Sequence, residues 1–148
     1  MNFNRRCCIK KKILIVVFIA IALFISITIY RSQIPDLKIV HQNTKIEVMK
    51  CPFSWDTLLS SHRWDYPTPP ELAKEMNAIT VEPQSILNLS FTKKPKSFNV
   101  SLWNESSEEY PSNNNKIIAP TDKGTYIFAV IGYWDNGQVL YIFKINVT

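Results

Sequence analysis

The chain is poor in the residues from which small active sites are usually assembled. It holds three glycines, two histidines and three cysteines in 148 residues. So few glycines leave no glycine-rich phosphate loop, and neither a Gly-x-Ser-x-Gly elbow nor a His-x-x-x-His pair occurs. Cys7 and Cys8 lie ahead of a long apolar run, so Cys51 stands alone in the remainder, and one cysteine makes no intrachain bridge. It is either a buried small apolar residue or an exposed thiol linking two chains. Whatever follows the run must hold together by packing.

A net charge is also missing where a folded domain would carry it. Arg5, Arg6, Lys10, Lys11 and Lys12 crowd the first 12 positions without an acid. Residues 13–148 hold the other 12 bases against all 12 acids, so the net charge of +5 describes a short tail. This speaks against a nucleic-acid partner, which needs a basic domain face.

What is present is apolar and then alternating. Ile13 to Tyr30 are 18 residues with no charge, proline or glycine. At ~1.5 Å per residue they span about 27 Å, close to a hydrocarbon core of roughly 30 Å. The run passes into Ser26-Ile-Thr-Ile-Tyr-Arg31 and not into a small-x-small cleavage site. An uncleaved signal anchor is therefore expected, with a cleaved signal peptide as the alternative. Five bases precede the run and only Arg31 follows at once, which places the N-terminus in the cytoplasm. The expected organisation is a cytoplasmic tail (1–12), a transmembrane segment (13–30), a linker (31–37) and an extracytoplasmic domain (38–148).

Residues 38–41 and 44–50 read as one or two strands, period-two alternation predicts strands over 79–82, 85–92 and 97–104, and 116–119 makes a short strand. A polar loop is expected over 105–115, and Lys93-Lys-Pro-Lys96 reads as a turn. Thr125 to Trp134 is apolar on both alternations, as a central strand should be. Asp135-Asn136-Gly137 then turns the chain into a return strand whose odd positions, Val139, Tyr141, Phe143, Ile145 and Val147, should face a core. Thr68-Pro69-Pro70-Glu71 fits a capping box with proline at N1 and opens a helix of about two turns. The expected fold is mainly β: an N-terminal transmembrane helix, then an immunoglobulin-like antiparallel β-sandwich with one short helix. Asp122-Lys-Gly-Thr-Tyr126 resembles the tyrosine corner of such domains, with Phe128 in place of their cysteine.

Trp55, Asp65-Tyr-Pro-Thr-Pro-Pro-Glu-Leu72, Phe91 with Pro95, Gly124-Thr-Tyr126, Trp134-x-x-Gly137 and Tyr141-x-Phe143 carry a further likeness. On these residues the chain resembles a family of small extracytoplasmic proteins of Gram-positive bacteria, anchored by an N-terminal span or lipid. The resemblance implies a location and an architecture but no activity. The family pattern has a cysteine before the tryptophan and another before Asp-Tyr, implying a disulfide. Ser54 and Arg63 stand there in this chain, so that bridge is absent.

For chemistry the sequence offers little. Ser60, His62 and Asp65 are close in sequence, whereas triads are built from residues close in space. Glu105, Glu108 and Glu109 lack the spacing of a calcium loop and read as a solvated acidic loop. Asn88, Asn99, Asn104 and Asn146 would accept glycans only in a eukaryotic secretory route. No catalytic residue, metal or cofactor is expected. The richest constellation is Phe53, Trp55, His62, Arg63, Trp64 and Tyr66, among the prolines of 52–70. It is a candidate binding face, because exposed aromatics and arginine are what interfaces enrich. The competing reading folds these aromatics onto the sandwich, and it weighs more because a domain without a disulfide needs the core. The expected function is non-enzymatic display of a binding or scaffolding domain to a protein or cell-envelope ligand. A membrane sensor or regulator acting through its span is the alternative, and a small hydrolase using His62 and Asp65 is a third.

Overall fold

The computed structural model describes residues 3–103 and 106–148, with side chains from Lys12 onward. The chain divides into two compact units, Met1–Gln33 with Thr57–Leu59, and Ile34–Asp56 with Ser60–Thr148.

The first unit is dominated by one helix, α1 (Phe3–Ser32). Its stretch Lys12–Ser32 has a mean hydropathy of 3.0 and no buried residue, which makes it long and apolar enough to cross a membrane. Ser26 and Thr28 return their hydroxyls to the carbonyls of Ala22 and Phe24, each at 2.9 Å, so the two polar side chains of the run are satisfied within the helix.

The second unit is mainly β and is built from two sheets. One orders β2 (Thr44–Ile46), β1 (Leu37–His41), β6 (Ile86–Phe91), β10 (Lys116–Ile118) and β9 (Ser112–Asn113). The other orders β4 (Ser61–Arg63), β3 (Met49–Asp56), β12 (Gly137–Val147), β11 (Gly124–Trp134), β7 (Ser97–Trp103) and β8 (Ser107–Glu109). A short β5 (Ile79–Val81) continues the β3 side of β12, pairing with Ile145–Val147. That pairing is parallel, so the sheet is not wholly antiparallel as expected.

Alternation places the core. Val139, Tyr141, Phe143, Ile145 and Val147 are all buried, and they meet Ile39, Leu87 and Ile117 from the other sheet. Phe128 stacks on Phe143 at 5.0 Å, and Tyr110 meets Phe128 edge-on at 5.1 Å. The opposite side of the same hairpin is covered as well. Ala129, Leu140 and Ile142 pack with Cys51, Ala73 and Met76 in a second, smaller cluster. Its lid is α2 (Pro69–Leu72) followed by a 3-10 turn, Ala73–Glu75. Glu71 accepts from the Thr68 N–H and hydroxyl, both at 3.0 Å, and Lys144 donates to the Ala73 carbonyl at 2.7 Å beyond the other end. The helix is shorter than its pattern suggests because the last turn tightens to 3-10 geometry.

Three further expectations change. The linker of 31–37 is divided: Arg31 and Ser32 belong to α1, while Pro35 and Leu37 are buried in the β-unit. Asp36 exchanges hydrogen bonds with Thr92, its N–H reaching the hydroxyl at 2.8 Å and its carbonyl taking the Thr92 N–H at 2.9 Å. The loop of 105–115 holds β8 and β9, short polar edge strands that alternation cannot reveal. The strand expected over 44–50 is broken at Glu47-Val48, and its second half runs on as β3 to Asp56, into the aromatic segment 52–70.

Candidate functional site

The aromatic segment 52–70 is organised by a bulge. On β3, Ser54 faces Gln138 and Pro52 faces Val139, so Phe53 is an extra residue without a partner on β12. One inserted residue reverses which side chains face which sheet surface. Cys51 therefore joins the smaller cluster while Trp55, four positions on, enters the main core. Strict alternation would have put both on one face.

This divides the predicted binding face. Trp55 is 2% exposed and packs edge-on against Trp134 at 5.9 Å, so it leaves the candidate surface for the core. Phe53 and Tyr66 are half-buried on the opposite side, 6.3 Å apart, beside a shallow hollow of about 260 Å³ under Pro67 and Pro69. Burial, with the nearby Cys51, raises the Tyr66 hydroxyl above its ordinary pKa. His62 and Arg63 lie exposed on β4, and His62 stacks on the half-buried Trp64 at 5.5 Å and 22°. Arg63 donates to Asp56 at 2.9 Å and Ser61 donates to the same oxygen at 2.5 Å. Those bonds hold the Asp56 carboxyl below its usual range. The six residues thus form no single face.

The β3–β4 pairing has one further consequence. Ser54 and Arg63 are Cα partners, and the Trp64 N–H reaches the Phe53 carbonyl at 3.0 Å, which makes them a non-hydrogen-bonded pair. Such pairs stand with Cα atoms about 4.5 Å apart, inside the range that disulfides span. The two positions where the resembled pattern carries cysteines therefore face each other.

Ser60 Oγ lies 3.0 Å from His62 Nε2, a nucleophile–base spacing on an exposed edge. Asp65 makes no hydrogen bond to that imidazole, so the third, orienting group is not in place. Among the described residues no group of three His, Cys, Asp or Glu side chains is close enough to hold a metal ion. Glu108 and Glu109 are exposed on β8; Glu105 and Asn104 lie outside the described residues. Cys51 is buried, and burial raises its thiol pKa, so it is not available to link two chains.

A separate cleft lies away from the 52–70 segment. About 650 Å³ opens between the end of β6 and the start of β7, at the edge of the sandwich. Half-buried Phe91 and Phe98, 5.4 Å apart, line it together with Lys94, Ser112 and the asparagines 113–115. Two elements far apart in sequence make its rim: the turn over 93–96, which carries the chain from one sheet to the other, and the β9–β10 hairpin. Asn114 and Asn115 have positive φ (49° and 58°), as the two central residues of that hairpin turn require. The run of three asparagines was the only sequence signal for this hairpin, and it reads equally as loop.

The tyrosine of the expected corner makes its bond: the Tyr126 hydroxyl donates to the Asp122 carbonyl at 2.8 Å. No protein family, curated protein or solved structure matches the chain.

Proposed function

We propose that the chain is a single-pass membrane protein with a cytoplasmic N-terminus, displaying an immunoglobulin-like β-unit outside the membrane. The β-unit acts as a non-enzymatic binding or scaffolding module. The observation that carries this reading is α1, whose charge-free run from Ile13 to Tyr30 is long and apolar enough to cross a membrane and precedes a separately packed β-unit in the chain. The five bases ahead of the run support the orientation. The Tyr126 corner bond supports the immunoglobulin-like assignment. The facing positions of Ser54 and Arg63 support the likeness to small anchored extracytoplasmic domains.

The test replaces residues 1–30 with an unrelated apolar anchor of the same orientation, in cells that lack the native protein. A displayed module keeps its function after this exchange. Loss of function with normal surface expression would overturn the proposal and favour a regulator that works through its span.

A further inference from the structure

Counted whole, the residues after the tail are neutral, yet their charges are not mixed evenly. The strands of the five-stranded sheet contain Lys38, Lys45 and Lys116 and no acid. All three lysines are exposed, and register places them on the outer surface of that sheet. Val40 pairs with Lys45 and with Asn88, which in turn pairs with Lys116. Lys45 and Lys116 thus stand about 14 Å apart, three strand spacings of ~4.8 Å. Lys94 extends this cationic side at the cleft between β6 and β7. Among the described residues no carboxylate pairs with Lys38, Lys45, Lys94 or Lys116. The acids nearest in sequence to Lys38 and Lys45 are engaged elsewhere, Asp36 with Lys50 and Glu47 with the Asn77 N–H.

From this arrangement we infer that the cleft and the adjoining outer face of the five-stranded sheet bind an acidic oligosaccharide. The inference rests on the reading of the β-unit as a binding module and names its ligand class. Three features match that chemistry. A cavity of about 650 Å³ has room for a sugar unit, and Phe91 and Phe98 offer apolar ring surface to the C–H face of a pyranose. Asparagine amides and serine hydroxyls on the rim both donate and accept, as a polyol needs. Lys94 at the rim and Lys116 beside it supply positive charge for the acidic substituents. A second hollow of about 410 Å³ shares Ser112, Asn113 and Asn114 with the cleft and is lined by Lys116 together with Ile86, Tyr110 and Ile118. A nucleic acid is the less fitting polyanion, because it calls for a denser basic stripe than four spaced lysines.

The test uses the full chain in nanodiscs of zwitterionic lipid, titrated with an oligogalacturonate of ten sugars and followed by calorimetry. Maltodecaose serves as the neutral control and a DNA oligonucleotide of equal charge as the other polyanion. The expected result is saturable binding of oligogalacturonate that weakens with salt and is at least tenfold tighter than either control. Lys94→Gln with Lys116→Gln should weaken it at least tenfold, and Phe98→Leu, which keeps apolar volume while removing the ring, at least threefold. An unchanged urea midpoint in these variants separates lost binding from lost folding. Absence of binding, equal binding of DNA, or full affinity in the double lysine variant would overturn the inference. Each of those outcomes leaves the anchor exchange above as the separate test of the module itself.

Discussion

Replacing Ser54 and Arg63 together by cysteine tests the register of the β3–β4 hairpin, on which the disposition of the 52–70 segment depends. The two residues are directly opposed and not hydrogen-bonded to one another, the geometry in which cross-strand Cα atoms are closest. The variant is made with Cys7→Ser and Cys8→Ser, leaving buried Cys51 as the only other thiol. Thiol titration under denaturing conditions should then count one free thiol after mild oxidation and three after reduction. The bridge closes a loop of about ten residues, for which the chain-entropy relation gives ~2.7 kcal/mol at 25 °C. Comparing oxidised with reduced protein of the same variant cancels the loss of the Arg63–Asp56 pair. With a urea slope of about 1–3 kcal/mol per molar, the midpoint of the oxidised form should lie roughly 1–3 M higher. Failure of the bridge to form, or a bridge that leaves the midpoint unmoved, would refute the register and with it the facing of Ser54 and Arg63.

Tyr141→Phe removes a buried hydroxyl that donates to the Pro35 carbonyl at 2.8 Å across 106 residues of sequence. Leaving that acceptor unpaired should cost about 1–3 kcal/mol by urea unfolding of the full chain in detergent. Cys51 should resist a thiol reagent in the native protein at pH 8 and react fully on denaturation, since it is 2% exposed and its pKa is raised by burial. Hydrogen bonds hold the carboxyls of Asp56 and Glu71 below their ordinary pKa values when folded. The stability they contribute is complete above the unfolded pKa and is lost as pH falls through the folded one. Asp56→Asn and Glu71→Gln should therefore each flatten the decline of stability below about pH 4.5, measured as urea midpoint against pH.

The sequence was most legible where one physical signal acted alone. The C-terminal hairpin is long, its return strand alternates cleanly, and each predicted inward residue from Val139 to Val147 is buried. Thr68 and Glu71 announced the helix start, because a capping box needs only residues three apart. Legibility failed where a long-range partner decided the outcome. The bulge at Phe53 exists only relative to β12, so the opposite facing of Cys51 and Trp55 could not be read from β3 itself. β8 and β9 are polar and short, and only their neighbours β7 and β10 make them strands. The same holds for the charge. Composition gave neutrality, whereas the segregation of Lys38, Lys45 and Lys116 onto one surface follows from pairing across four strands.

Display of the β-unit outside the membrane is the claim on which the functional account stands, and the chain allows a direct measurement of it. Thr148 is exposed at the end of the β-unit, and Cys51 is buried. Thr148→Cys in a Cys7→Ser, Cys8→Ser background therefore presents a single accessible thiol. With the N-terminus in the cytoplasm, a membrane-impermeant maleimide applied to intact cells should label this thiol as completely as it does after lysis. Labelling that appears only after lysis would place the β-unit inside and contradict the account.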